Sequence, residues 1–305
     1  MIIKYISILI NYLKNELTKG HERSIKAKKN IFASFLIKGL SAIISLTLVP
    51  LTINYINASR YGIWLTVSSI VAWLSFFDIG LTQGLRNKFA EAKAKNDDLS
   101  VQKYISTCYA LLTIIFLSIW LMFFILNKHI NWAGFLKLPD IYKSELSALI
   151  LIVITYFCLS FILKIVTTVL TADQQPAKSS LIDLLGQIIS LLLIYTLTKT
   201  TEGSLINLGL ALCISPVIVL IGANFSLFNG IYAKYKPQIS KIDFSTAKDL
   251  LNLGIMFLVI QLAGIVQFQT ANIIIARNFG TEDVTSYNIV YKYFGVLSML
   301  FAIFI

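Results

Sequence analysis

The feature that most constrains this sequence is a series of long apolar runs, each about as long as a helix that crosses a membrane. The hydrocarbon core of a bilayer is about 30 Å thick and requires roughly 20 apolar helical residues. The strands of a membrane barrel would instead alternate apolar and polar residues over about ten positions. Suitable runs lie at about 31–56, 62–85, 104–127, 145–170, 180–198, 204–229, 251–275 and 286–305. The sequence therefore predicts an all-α, polytopic membrane helix bundle with about eight transmembrane helices.

The charge of the chain supports this fold class and predicts its orientation. Only 13% of the 305 residues are charged and 57% are hydrophobic, whereas a soluble domain is about 25% charged. The net charge of +11 would suggest nucleic acid for a soluble protein, but in a membrane protein it indicates basic cytoplasmic loops. With the N-terminus inside, 17 Lys and Arg residues are cytoplasmic and 6 lie opposite. We therefore predict a cytoplasmic N-terminus and no nucleic-acid partner.

Polar segments divide the chain into four parts. Residues 1–30 carry apolar residues at helical spacing and are predicted to form an amphipathic helix at the cytoplasmic interface; a solvated tail is the alternative. Residues 31–229 form a lobe of six helices, 230–250 a cytoplasmic linker, and 251–305 the first two helices of a second lobe. Transporters built from two such halves bind substrate between them. Two equal lobes would hold about twelve helices, so we expect this sequence to be a truncated form.

Ionisable residues inside the spans are candidates for function, because a charge in the membrane is costly. Lys38, Asp78, Lys164 and Lys292 lie deep in their predicted spans. Each lysine either reaches the interface with its long side chain, pairs with a carboxylate, or lines a polar cavity. Lys38 and Asp78 share a depth on sequential helices, and we hypothesise that they pair or flank one cavity.

Amide side chains in the seventh span add a second set of candidates. Gln261, Gln269 and Asn272 fall on one helical face. Amides can bind sugar hydroxyls, and they also join helices to one another. Both interpretations stay open at this point.

Motifs for bond-making chemistry are missing from the sequence. Cys108, Cys158 and Cys213 lie in separate apolar runs, and His21 and His129 are far apart, so no metal-ligand spacing is present. There is also no phosphate loop, zinc-protease motif or nucleophile elbow. The sequence predicts no catalytic residue, no metal and no cofactor, and hence not an enzyme.

A family resemblance is carried by the second predicted span. It rests on Tyr61-Gly62-Ile63-Trp64, on Trp73-Leu74-Ser75-Phe76-Phe77-Asp78-Ile79-Gly80-Leu81, and on Gly84-Leu85-Arg86-Asn87. These stretches resemble the Wzx-type lipid-linked oligosaccharide flippases. Those flippases form the polysaccharide transporter family of the multidrug/oligosaccharidyl-lipid/polysaccharide exporter superfamily. The pattern of spans extends the resemblance over essentially the whole chain.

The resemblance implies a V-shaped cavity between two six-helix lobes in the bacterial plasma (inner) membrane. The implied cargo is an anionic lipid, undecaprenyl diphosphate bearing an oligosaccharide repeat unit, moved from the inner to the outer leaflet. Membrane lipid and other polysaccharide-assembly membrane proteins are the further partners implied. Basic residues of the cavity would hold the diphosphate, which points to Lys38, Lys164 and Lys292, while Asp78 and Arg86 match the motif itself as gating or ion-pair residues.

Two other functions compete with this one. A drug/cation antiporter of the same superfamily would favour acidic residues in its cavity, but the deep set here holds three lysines and one aspartate. A membrane polymerase or acyltransferase of envelope synthesis would be expected to carry a large outer loop or a histidine-based site. The sequence favours the flippase.

Overall fold

The computed structural model describes residues 22–78, 80–138 and 142–301, and this part of the chain is helical and without strands. The helices of eight or more residues are α1 Glu22–Ile56, α2 Ala58–Ala72, α3 Leu81–Ala94, α4 Asp98–Leu126, α5 Lys143–Leu163, α6 Ile165–Ala172, α7 Pro176–Thr200, α8 Leu205–Asn229, α9 Ala247–Asn278 and α10 Thr281–Phe301. The predicted all-α fold is confirmed. The proposed interfacial helix of residues 1–30 lies largely outside the described residues.

Five segments of the described chain are long and apolar enough to cross a membrane. They are Lys29–Ile56, Asp98–Leu126, Lys143–Ala172, Pro176–Thr200 and Leu205–Asn229. These correspond to the first, third, fourth, fifth and sixth predicted spans, so the chain is a multi-pass membrane protein. The total of eight spans and the cytoplasmic N-terminus stay predictions.

The second predicted span is interrupted rather than continuous. After α2 the chain forms a 3₁₀ turn, Trp73–Asp78, and Gly80 then adopts a left-handed φ of 73° before α3 begins. Glycine takes this conformation at little cost because it has no Cβ. The buried Asp78 carboxylate accepts hydrogen bonds from the Thr82 amide at 3.3 Å and the Thr82 hydroxyl at 2.7 Å. It thereby satisfies one of the free N–H groups in the first turn of α3.

The fourth predicted span is also divided, at Lys164. α5 ends at Leu163 and α6 begins at Ile165, so the exposed Lys164 occupies the junction. The Lys164 carbonyl accepts hydrogen bonds from the hydroxyls of Thr167 and Thr168 at 2.7 and 3.4 Å. Threonines that bond backbone carbonyls in this way often bend helices.

The helices pack as one bundle in which two sets can be distinguished. The first set is α1–α8, where α1 packs on α7, α7 on α8, α8 on α5, α5 on α4, and α4 on α3. The second set is α9 and α10, and it packs on α2 and α3, with α10 also touching α1. We call the end where α1 begins the basal end and the end where α1 finishes the distal end.

Two glycines allow the second set to approach α2 and α3 very closely. A Cβ atom on Gly62 would lie 1.7 Å from the carbonyl oxygen of Thr281, and one on Gly84 would lie 2.0 Å from that of Leu250. Neither position can hold a larger residue without moving a backbone. Gly62 marks the distal contact and Gly84 the basal one.

A polar seam joins α2 to the second set at the distal end. Asn272 of α9 donates to Ser69 and accepts from Asn288 of α10, both at 2.6 Å. Ser59 bonds Thr281 at 3.0 Å, and the Thr285 hydroxyl donates to the Ala58 carbonyl at 2.7 Å. We call these contacts the distal seam. Buried polar groups that satisfy one another hold helices in a single arrangement.

The linker between the two sets is fastened to α4. The Gln102 amide donates to the Lys236 carbonyl at 2.9 Å, and the Ser106 hydroxyl accepts from the backbone N–H of Gln238 at 3.1 Å. Asp243 donates its N–H to Thr107 at 3.0 Å and pairs through its carboxylate with Lys103 at 3.3 Å. Hydrogen bonds from Ser245 and from Lys103 hold the pKa of the Asp243 carboxyl below its usual value.

Candidate functional site

A cavity of about 360 Å³ lies in the distal half of the bundle, where the two helix sets meet. Its lining is mainly aromatic and hydroxylic. The lining residues are Ser45, Leu48, Thr52, Tyr61, Trp64, Ser68, Val153, Tyr156, Phe157, Leu212, Cys213 and Lys292. We call it the distal cavity, and five helices contribute to it: α1, α2, α5, α8 and α10.

The charged group of the distal cavity is Lys292. Its ammonium donates to the Tyr61 hydroxyl at 3.1 Å and lies 5.9 Å from the centre of the Tyr61 ring. The hydrogen bond to the Tyr61 hydroxyl holds the side chain towards α2. An ammonium has three N–H donors, so Lys292 can still bind an anion. Trp64 and Tyr156 add broad apolar faces beside polar tips.

A second cavity, of about 820 Å³, opens at the basal end. It is lined by Asn30, Ile31, Arg86, Ala90, Lys93, Ala94, Thr171, Ala172, Asp173, Gln174 and Pro176. We call it the basal cavity. Its walls come from α1, α3, α6 and the turn that leads into α7, and thus from the first set alone.

Asp173 organises one wall of the basal cavity. Its carboxylate pairs with Lys93 and accepts hydrogen bonds from Gln175 at 2.7 Å and from the Tyr232 hydroxyl at 2.9 Å. Burial disfavours ionisation of Asp173, but the hydrogen bonds from Lys93, Tyr232 and Gln175 outweigh it and lower its pKa. The carboxylate therefore stays charged and ties α3 to the chain after α6 and α8.

A side pocket of about 200 Å³ lies beside the basal cavity, between α3 and α6. Its lining residues are all polar: Thr82, Gln83, Arg86, Thr167, Thr168 and Thr171. We call it the threonine pocket. Arg86 and Thr171 also line the basal cavity, so the two spaces adjoin.

The structure does not gather the predicted lysines into one place. Lys292 lines the distal cavity, whereas Lys38 and Lys164 line neither cavity nor the threonine pocket. Lys38 is half-buried on α1, on the same helical face as Ile31 of the basal cavity. Within the described residues Lys38 forms no ion pair with Asp78. The Asp78 carboxylate instead bonds Thr82 at the start of α3, and a cavity flanked by Lys38 and Asp78 stays a prediction.

The three predicted amide side chains do not share one site in the described structure. Asn272 belongs to the distal seam, which supports its role in joining helices. Gln269 is half-buried on the same helix, and the side chain of Gln261 lies outside the described residues. Of the two motif residues, Arg86 lines the basal cavity and the threonine pocket, and Asp78 is buried beneath the latter.

The sequence did not identify several residues that line the two cavities. Tyr61 and Trp64 belong to the stretch 61–64 that carries part of the family resemblance, but nothing in the sequence assigns their side chains to a cavity. Asp173 and Lys93 lie in polar segments outside the predicted spans, where charges are ordinary. Lys93 and Asp173 form an ion pair although they are 80 positions apart. A single sequence cannot reveal such a contact.

The family model for polysaccharide biosynthesis proteins matches residues 27–305 of the chain. Two curated Salmonella proteins with the provisional name O-antigen transporter are similar to it. The Salmonella typhi protein is 24% identical over 271 residues and the Salmonella typhimurium protein 23% over 270. Each alignment covers 88% of this chain but 61% of the relative. The chain thus spans about three fifths of the length of these relatives.

A solved structure shares the fold. It is the outward-facing form of a multidrug resistance MATE family transporter of the MOP superfamily, with a TM-score of 0.65 and 12% identity. The match covers 94% of this chain and 69% of that protein. At this identity the likeness concerns the arrangement of helices.

Proposed function

Because the chain belongs to the polysaccharide biosynthesis protein family, we propose that it takes part in moving undecaprenyl-diphosphate-linked oligosaccharide repeat units across the bacterial plasma membrane, from the inner to the outer leaflet. The observation that carries this proposal is the distal cavity. It combines one cation with aromatic faces and hydroxyls at the meeting of two helix sets, which is where transporters of repeated architecture bind their substrates.

The chemistry of the distal cavity suits such a cargo. The Lys292 ammonium supplies a point charge for a phosphate oxygen. Trp64 and Tyr156 offer apolar faces for a sugar ring, while Ser45 and Thr52 offer hydroxyls for its polar edge. The lipid tail would stay in the bilayer, so only the head group needs a polar path. No bond is made or broken during such a movement.

Lys38 and Lys164 are retained as further contacts of the diphosphate. Lys38 lies two helical turns beyond Ile31 on the same face of α1. Lys164 immediately precedes α6, whose threonines line the side pocket. We propose that both residues contact the diphosphate as it moves between the basal and distal cavities. Gln261 and Gln269 are retained as contacts of sugar hydroxyls.

The test is a binding measurement on the purified chain in nanodiscs. We expect saturable binding of undecaprenyl diphosphate bearing a short oligosaccharide. Lys292→Ala should weaken it roughly 10-fold or more, because a hydrogen bond to a charged group contributes about 1.5–3 kcal/mol. Lys292→Arg, which keeps the charge, is the matched control. The absence of saturable binding, or equal affinity in Lys292→Ala, would contradict the proposal.

The same preparation distinguishes the competing antiporter. A drug/cation site should bind a lipophilic cation such as tetraphenylphosphonium and should gain affinity in Lys292→Ala, since a repelling charge is removed. The lining of the distal cavity contains one lysine and no carboxylate. We therefore expect no saturable binding of this cation to either protein.

A further inference from the structure

The threonine pocket has an unusual balance of hydrogen-bond donors and acceptors. Each threonine hydroxyl carries a single proton. Thr82 gives its proton to Asp78 at 2.7 Å, Thr167 gives its own to the Lys164 carbonyl at 2.7 Å, and Thr171 to the Thr167 carbonyl at 2.8 Å. Thr168 also points its hydroxyl at the Lys164 carbonyl, at 3.4 Å. With their protons committed, these oxygens present lone pairs and can act as acceptors for a ligand.

Two further residues of the pocket are unengaged. Within the described residues, the side chains of Arg86 and Gln83 form no hydrogen bond or ion pair. Arg86 brings five N–H donors in a fixed plane, and Gln83 brings donors and an acceptor. The pocket thus offers a row of acceptor oxygens opposite one strong donor.

This balance of donors and acceptors disfavours several ligands. A bare phosphate has acceptor oxygens, which would face the lone pairs of the threonines. An ammonium group could donate to those oxygens, but it would meet the positive charge of Arg86. An apolar group would leave Arg86 and Gln83 without partners, which is costly for polar groups removed from water. A group with several O–H donors and some acceptor oxygens can hydrogen-bond the threonine oxygens and also Arg86 and Gln83.

The size of the pocket narrows the choice. At about 200 Å³ it is smaller than the roughly 300–1,000 Å³ of sites that hold drug-sized ligands. One sugar ring is a hydroxyl-rich group of suitable size, whereas a whole oligosaccharide is not. The rest of a longer ligand has room in the adjoining basal cavity of about 820 Å³.

We propose that the threonine pocket is a docking site for a single sugar residue, whose hydroxyl protons bind Thr82, Thr167, Thr168 and Thr171 while an acceptor oxygen binds Arg86. This inference rests on the proposed function and adds to it a sugar-specific position at the basal end, separate from Lys292. It places this sugar contact within the first helix set. The glycerol head group of phosphatidylglycerol offers related chemistry, and the test must separate the two sources.

The experiment compares two probes in phosphatidylcholine nanodiscs: undecaprenyl diphosphate bearing a disaccharide, and undecaprenyl diphosphate alone. Thr167→Val/Thr171→Val keeps the shape of both side chains but removes the two acceptor oxygens, and Thr167→Ser/Thr171→Ser restores them. We expect the valine variant to bind the disaccharide probe about 10-fold more weakly and the sugar-free probe as well as the unmodified chain does. The serine variant should behave like the unmodified chain.

Each other outcome has a definite meaning. Equal losses for both probes, or no loss for the disaccharide probe, overturn the sugar site while the proposed function stands. Failure of the unmodified chain to bind the disaccharide probe overturns both. If phosphatidylglycerol in the nanodisc displaces the disaccharide probe from the unmodified chain and not from the valine variant, the pocket belongs to a lipid head group and the sugar site is wrong. Gel filtration and circular dichroism check that the valine variant is folded.

Discussion

The distal and basal cavities differ in which parts of the chain build them. The distal cavity draws on both helix sets, because Lys292 of α10 faces residues of α1, α2, α5 and α8. The basal cavity draws only on the first set. A displacement of α10 would therefore dismantle the distal cavity and leave the basal walls unchanged. The first set alone therefore fixes the binding groups at the basal end, whereas those at the distal end also depend on docking of the second set.

The largest effect is expected from a substitution that forces α2 and α10 apart. Gly62→Val places a side chain where a Cβ atom would already lie 1.7 Å from the Thr281 carbonyl oxygen. We expect the distal seam to open, at a cost of about 3 kcal/mol or more for an overpacked core position. A disulfide between Ser59→Cys and Thr281→Cys, whose hydroxyls are 3.0 Å apart, reports the seam, and its yield should fall sharply.

The control for this change is Gly39→Val, since a Cβ on Gly39 would meet nothing within 4 Å. It should leave the disulfide yield unchanged. A normal yield in Gly62→Val would show that the second set can dock without the close approach. In both variants the Lys93–Asp173 pair of the basal cavity should persist.

The next largest effect is expected at the basal end alone. Asp173→Asn removes the carboxylate that binds Lys93, Gln175 and Tyr232. We expect a loss of about 1–2 kcal/mol in the free energy of unfolding, because charged hydrogen bonds are lost in a partly exposed place. Glu202→Gln, an exposed carboxylate at the distal end, is the matched control and should change little.

The effect of Asp173→Asn should depend on pH. The pKa of Asp173 is lower in the folded protein than its ordinary value, which is about 3.9. Its stabilising contribution is therefore complete well above pH 4 and is lost as the pH falls through the folded pKa. The difference in unfolding free energy between the variant and the unmodified chain should shrink below about pH 4. A difference independent of pH would show that packing, not charge, holds this wall.

The smallest effect tests the hydrogen bonds of the distal seam. Asn272→Ala and Ser69→Ala each remove one side of a buried hydrogen bond of 2.6 Å. Double-mutant cycles for such bonds between membrane helices give about 0.6 kcal/mol, with a maximum near 1.7. We expect a coupling in that range from the two single variants and the double variant. Asn278→Ala, an exposed amide on the same helix, should show no coupling to Ser69→Ala.

Five of the eight predicted membrane helices correspond to helices that are long and apolar enough to cross a membrane, because apolar length defines such helices. The interruptions of the predicted spans could not be foreseen from the sequence. The turn at Trp73–Asp78 lies inside an apolar run, and only the left-handed Gly80 and the buried carboxylate of Asp78 show that α2 and α3 are separate. At Lys164 the sequence indicated a buried charge, whereas the structure has a helix junction with an exposed lysine.

The candidate sites were predicted in part. Lys292 could be predicted as a candidate because a lysine within an apolar span is unusual. The sequence could not show that Lys292 lines the distal cavity and that Lys38 and Lys164 do not. Cavities form from helices far apart in the chain, and Lys292 and Tyr61 are 231 positions apart. The sequence left Asn272 open as a substrate contact or a helix contact. Its hydrogen bonds to Ser69 and Asn288 are those of a helix contact, and a role in substrate binding stays a prediction.

The fastening of the linker to α4 has a mechanical consequence. Asp243 is bonded to Thr107 and Lys103, and Leu250 rests on Gly84. These contacts restrain the start of α9, so it would be the fulcrum of any rigid tilt of the helix. The 32 residues of α9 form a lever about 48 Å long. A tilt of about 10° at the fulcrum would carry its far tip roughly 8 Å. Leverage of this kind converts a small rotation near the linker into a large displacement beside Tyr61 and Lys292.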